Sequence, residues 1–112
     1  MKIFKYEIIT NTHKHATVIS IPKNSRLIHI ENQWKGDSNV YAWFEIPKNG
    51  SNVLMNNRTF LCMFTGHEFN PKGLTHITSK VITDSFVVHI YEKDSPEIPK
   101  PKPFLSDKDF VL

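Results

Sequence analysis

Apolar residues in this chain recur at every second position, in short runs that Gly, Asn and Pro keep interrupting. That period turns successive side chains to opposite faces of an extended strand, whereas a helix buries residues spaced i, i+3, i+4. No stretch keeps the helical spacing over three turns. Ile3–Ile9 sets Phe4, Tyr6 and Ile8 against Lys5 and Glu7, and Thr17–Ile21 stops at Pro22, which has no N–H for a central ladder. Arg26–Asn32 sets Ile28 and Ile30 against Leu27 and His29, and the turn signal Lys35–Asn39 leads into Val40–Ile46, which ends at Pro47. Lys48–Asn57 reads as a polar loop. Arg58–Thr65 is apolar on both faces, which predicts a central strand covered on both sides. After a loop over Gly66–Gly73, Leu74–Ile82 and Phe86–Glu92 form a hairpin across Thr83-Asp84-Ser85. Six to seven short strands predict an all-β domain over 1–92, a small antiparallel β-sandwich or partly open barrel.

The last stretch, 93–112, is different material. Prolines at 96, 99, 101 and 103 favour an extended chain and remove backbone donors. It ends in apolar residues that a solvated tail does not need: Phe104-Leu105 and Phe110-Val111-Leu112. The expectation is an extended C-terminal tail that docks on its own domain, on a neighbouring copy or on a partner. With 112 residues there is room for one domain with a thin core, so a homo-oligomer is expected.

The formal net charge is +3. Four lysines and four acids cancel in the tail, so the excess belongs to the body. No run of cations marks a phosphate-tracking face, which argues against duplex nucleic acid and leaves a small anionic ligand open. One cysteine, Cys62, sits in an apolar run, so a disulfide framework is excluded and a reducing compartment is expected. Neither a secretory leader nor a membrane-length apolar run is visible, so the expectation is a soluble, intracellular protein.

Five segments, in order, resemble a family of small, functionally uncharacterised proteins encoded mainly by bacteriophages and prophages. They are Met1-Lys2-Ile3-Phe4-Lys5-Tyr6-Glu7, Ile19–Pro22 through Leu27–Ile30, Val40–Glu45, Phe64-Thr65-Gly66-His67 and Phe86–Glu92. Phe64 stands where the resemblance has Gly, and the tail is longer than the family's. The resemblance implies a phage origin and an all-β fold, and it carries no activity.

Gly66 permits a sharp turn that presents the next side chain, so Thr65, Gly66 and His67 are candidates to contact a phosphate or a partner. The bland alternative is a tight turn with His67 bonded to backbone. His89 faces away from Phe86, Val88 and Ile90, and its convergence with His67 would suggest acid–base chemistry. Tyr41 and Trp43 share a strand face, where aromatics stack bases or fill a core. Arg58 is a phosphate-pairing candidate, as are Arg26 and the lysines at 2, 5 and 14; strand lysines also protect exposed edges. His13 and His15 alternate in a polar loop, without the third ligand a zinc site needs. Cys62 reads as core.

No nucleotide loop, paired carboxylates, metal spacing or nucleophile elbow is present, so neither catalysis nor a cofactor or metal is expected. These readings predict a phage accessory protein in the host cytoplasm that counters host defence by binding. It would sequester a small anionic nucleotide signal or block a host defence protein. A structural or assembly role in the particle is the alternative, and a His-dependent phosphodiester-type enzyme the third.

Overall fold

The computed structural model describes residues 1–33, 39–48, 54–82 and 86–94. The expected turns over 35–39, save Asn39, and over 83–85, residues 49–53 of the expected 48–57 loop and the tail past 94 lie outside them. The loop reading is corrected at its end, where Met55, Asn56 and Asn57 are strand because they pair with Pro22, Ile21 and Ser20. Seven strands follow in chain order: β1 (Lys2–Ile8), β2 (His15–Pro22), β3 (Arg26–Asn32), β4 (Val40–Ile46), β5 (Met55–Phe64), β6 (Leu74–Ile82) and β7 (Phe86–Lys93). They form two antiparallel sheets, one ordered β1-β4-β3 and the other β2-β5-β7-β6. The protein is therefore an open two-layered sandwich rather than a closed barrel. Among the described residues no helix is long and apolar enough to cross a membrane.

The two-residue period supplies the core directly. Ile8, Ile30, Val40, Ala42 and Phe44 from the first sheet meet Ile19, Ile21, Phe60, Cys62, Ile82, Val88 and Ile90 from the second. Removing this apolar surface from water is the main term holding the sheets together. Phe44 and Phe60 touch edge to face across the layers, with ring centres 6.1 Å apart. As expected, β5 is central in its sheet.

Two bulges break the alternation. In β3 the register shifts between Leu27 and His29, so Leu27 and Ile30 both face inward, opposite Phe44 and Ala42. The expected grouping of Ile28 with Ile30 is thereby corrected: Ile28 is the extra residue, two residues opposing one on the partner strand. In β6 the shift falls between His76 and Thr78, and Ile77 is the extra residue. The two bulged stretches face each other across an open groove of about 340 Å³ between the edge strands of the two sheets. Lys80 bridges that groove to Glu31 at 3.3 Å. Bulges at facing edges twist the strands apart and keep the two layers from fusing into one sheet.

The connection from β5 to β6 shapes the surface. β5 ends opposite Val88 and β6 begins opposite Lys93. The chain from Thr65 to Gly73 must travel five residues back along the sheet, about 17 Å at strand rise. It does so over the outer face, crossing β7, because the inner face is packed against the other sheet. Its Phe69 ring lies 5.1 Å from that of Tyr91, an outward residue of β7. The neighbouring outward residue of β5, Met63, is only 2% exposed although it points away from the core. The predicted two-sided cover of β5 thus has two sources, the opposite sheet inside and this crossover outside.

Candidate functional site

Gly66 has φ +87°, and the N–H of His67 donates to the carbonyl of Phe64 at 3.2 Å, closing a four-residue turn. A side chain at Gly66 would meet nothing within 4 Å, so backbone conformation alone demands glycine there. The turn throws its residues to two sides. His67 packs at the end of the sandwich, its ring 4.7 Å from that of His13 and edge-on to Phe64 at 5.7 Å. Thr65 reaches the outer face of the four-stranded sheet instead.

There Thr65 joins a continuous polar chain. His89 Nε2 lies 2.7 Å from Thr65 Oγ1, His89 Nδ1 2.7 Å from Ser79 Oγ, and His76 Nε2 3.0 Å from the same Ser79 oxygen. One proton arrangement satisfies every member. Thr65 donates to the carbonyl of Val87 at 3.2 Å and accepts from His89 Nε2–H. Ser79 donates to His89 Nδ1 and accepts from His76 Nε2–H. No carboxylate bonds into the chain among the described residues. Tyr91 lies beside it, its ring 5.2 Å from that of His76. Thr65, His76 and Ser79 are exposed and His89 half-buried, so the chain is open to a ligand.

The β6 bulge makes this possible. His76 and Ser79 are three residues apart, which strict alternation places on opposite faces. With Ile77 as the extra residue, both face outward, opposite Tyr91 and His89. His76, Ser79 and Tyr91 were not legible as site residues. One signal was present: Ile77 and Ile82, both apolar, are separated by an odd number, which a regular half-buried strand cannot bury together.

His67 and His89 therefore occupy different environments on either side of one turn. Among the described residues no group of three His, Cys, Asp or Glu side chains is arranged to hold a metal ion. His13 is committed to structure: its Nδ1 accepts from the Phe64 N–H at 2.9 Å, and its Nε2 donates to the Glu68 carbonyl at 3.2 Å. Lys14, with a φ of 65°, bends the chain between His13 and His15, so the two do not lie on one extended segment.

The remaining candidates lie elsewhere. Arg58 is inside the sandwich, gripping Glu92 with two hydrogen bonds of 2.6 and 2.7 Å, its guanidinium 5.0 Å from the Phe44 ring centre. Such a bidentate pair ties the neighbouring strands β5 and β7 of one sheet and leaves the cation already matched. Tyr41 and Trp43 face outward on the three-stranded sheet, on the opposite side of the molecule from His89, so they do not fill the core. Trp43 contacts His29 at 5.4 Å, Lys5 sits over the Tyr41 ring at 4.8 Å, and Arg26 pairs with Glu45 at 3.1 Å. Cys62 is fully buried, and burial pushes its thiol up to about 11. It is an inert core residue, as expected.

The fold and this surface define a small two-sheet β-sandwich with a histidine–hydroxyl chain exposed on one outer face. The chain belongs to the family described as a domain of unknown function, DUF7352, whose model matches residues 1–101. No curated protein and no solved structure matches it.

Proposed function

We propose that this protein acts by binding rather than by catalysis, and that it takes a small anionic, nucleotide-like ligand on the outer face of the four-stranded sheet. The observation that carries this reading is the chain His76–Ser79–His89–Thr65, a row of hydroxyls and imidazoles with no carboxylate bonded into it. An oxyanion placed there meets groups that can rotate or tautomerise to donate hydrogen bonds. Tyr91, with Phe69 against it, offers an adjacent aromatic surface for a base. In its biological setting the protein is a bacteriophage accessory factor in the host cytoplasm that sequesters such a signal or blocks a host defence protein. Support for that setting is the resemblance of the five segments. Isothermal titration with cyclic dinucleotides and ADP-ribose derivatives tests the site. The expected result is binding to at least one of them, weakened about tenfold or more by His89→Ala, as loss of a charge-assisted bond entails. Silence across the panel removes this reading.

The 2.7 Å contact between Ser79 Oγ and His89 Nδ1 favours a second reading, a serine nucleophile with its base, the imidazole held from behind by Thr65. Covalent labelling of Ser79 by a fluorophosphonate, abolished in His89→Ala, would establish it. An unlabelled protein retires it.

A further inference from the structure

The hydrogen bonds of the His76–Ser79–His89–Thr65 chain have a direction, and the Val87 carbonyl sets it. That oxygen only accepts, so the single proton of the Thr65 hydroxyl goes to it at 3.2 Å. Thr65 then accepts from His89 Nε2–H, which leaves His89 Nδ1 as a lone pair facing Ser79 at 2.7 Å. Ser79 donates to that lone pair and accepts from His76 Nε2–H at 3.0 Å. The opposite direction would set the Val87 and Thr65 oxygens against each other with no proton between them.

With both imidazoles neutral, every donor of the chain is therefore engaged, within it or on Val87. What the chain presents outward is lone pairs, on Thr65, on Ser79 and on His76 Nδ1, which bonds no group among the described residues. Lone pairs repel an oxyanion. One added proton reverses this. Placed on His89 Nδ1, it makes that nitrogen the donor to Ser79. Ser79 then accepts from both imidazoles, and its own O–H is released outward beside an imidazolium.

We propose, resting on the binding site assigned above, that this face takes its anion only together with one proton from solvent, which goes to His89 Nδ1. The anion accepts from the released Ser79 O–H and is held by the imidazolium charge. The ionisable groups on the surrounding elements leave that charge to the ligand. On β5, Met63 lies opposite His89, and Arg58 and Cys62 face inward. On β6, Lys80 reaches Glu31. On β7, Glu92 holds Arg58, Tyr91 meets His76 through its ring, and Lys93 stands opposite Leu74, with Asp94 beyond it on Thr75. The crossover carries His67, stacked on His13, with Glu68 and Lys72, and neither of these last two side chains pairs with the chain.

Isothermal titration with a cyclic dinucleotide and with ADP-ribose tests this, because their phosphodiester and diphosphate groups keep a constant charge between pH 6 and pH 8. At pH 7.5, heats measured in two buffers of different ionisation enthalpy should show one proton taken up per ligand bound. Affinity should tighten about tenfold for each unit that pH falls from 8 towards 7. Imidazole nitrogen shifts of the free protein at pH 8 should show His76 and His89 protonated at Nε2 alone, and His89 doubly protonated in the complex. Binding with no proton exchanged overturns the proposal and leaves the assigned site standing. A free His89 protonated at Nδ1, or uptake with His89 still neutral, overturns it as well. Failure of both probes to bind anywhere from pH 6 to pH 8 removes the site and the proposal together.

Discussion

The two outer faces of this sandwich use similar ingredients and reach opposite chemical states. On the three-stranded sheet, Tyr41 and Trp43 are surrounded by charges of both signs that have already found partners: Lys5 over Tyr41, Arg26 on Glu45, His29 against Trp43. On the four-stranded sheet, imidazoles and hydroxyls hydrogen-bond to one another beside Tyr91, beneath a crossover that also buries Met63. Aromatic residues on a sheet face do not make a binding surface by themselves. What separates the faces is whether the polar groups are neutralised by opposite charge or left able to receive a ligand.

The largest test of that contrast is steric. Met63→Ala empties a position buried under the crossover and should cost about 2–5 kcal/mol in urea unfolding. Tyr41→Ala, at an outward position with no crossover above it, should cost about 1 kcal/mol. Equal losses would mean that the crossover does not seal the face.

Next comes the inner neighbour of Met63. Burial raises the Cys62 thiol from 9.0 to about 11, so between those values the unfolded chain loses a proton that the folded chain keeps. Stability is therefore full below pH 9 and falls as pH rises towards 11, by about 2–3 kcal/mol from this group. Chemical denaturation of wild type and Cys62→Ala at pH 8 and pH 10.5 should show a smaller loss in the variant.

A smaller effect is expected where the crossover begins. Gly66→Ala must hold φ +87° with a side chain, although nothing nearby would clash. A loss of about 1–2 kcal/mol in thermal unfolding is expected, with Thr65–His89 contacts weakened in the NMR spectrum. An unchanged melting temperature would show that the turn relaxes freely.

The smallest effect belongs to the groove that joins the two sheets. Burial raises the Glu31 carboxyl, but the hydrogen bonds from Lys80 and the Asn32 N–H and the charges of Lys80 and His29 outweigh it, so the carboxyl titrates below its ordinary range. The contribution is present at neutral pH and disappears as pH falls through that lowered value. Because the pair is partly open to solvent, which screens it, Glu31→Gln should change neutral-pH stability by less than about 0.5 kcal/mol.

Much of the fold was legible. Strict alternation in β4 set Val40, Ala42 and Phe44 on one face and Tyr41 and Trp43 on the other, and the structure decided that the first face is the buried one. The site was legible only in part. Thr65, Gly66 and His89 were singled out and the structure joins Thr65 to His89, but Arg58 is spent on Glu92 and His67 on the His13 ring. His76 and Ser79 were missed because their shared face exists only once Ile77 bulges.

From the sequence alone came the strands, which residues share a face in a regular strand, the central place of β5, and the exclusion of helices from the interior. Those follow from local geometry, since a period of two is a property of one extended segment. The bulges, the crossover above Met63 and the union of Thr65 with His89, Ser79 and His76 required the tertiary structure. They depend on how segments distant in sequence pair and pack, and a residue-by-residue alternation carries no record of its partner.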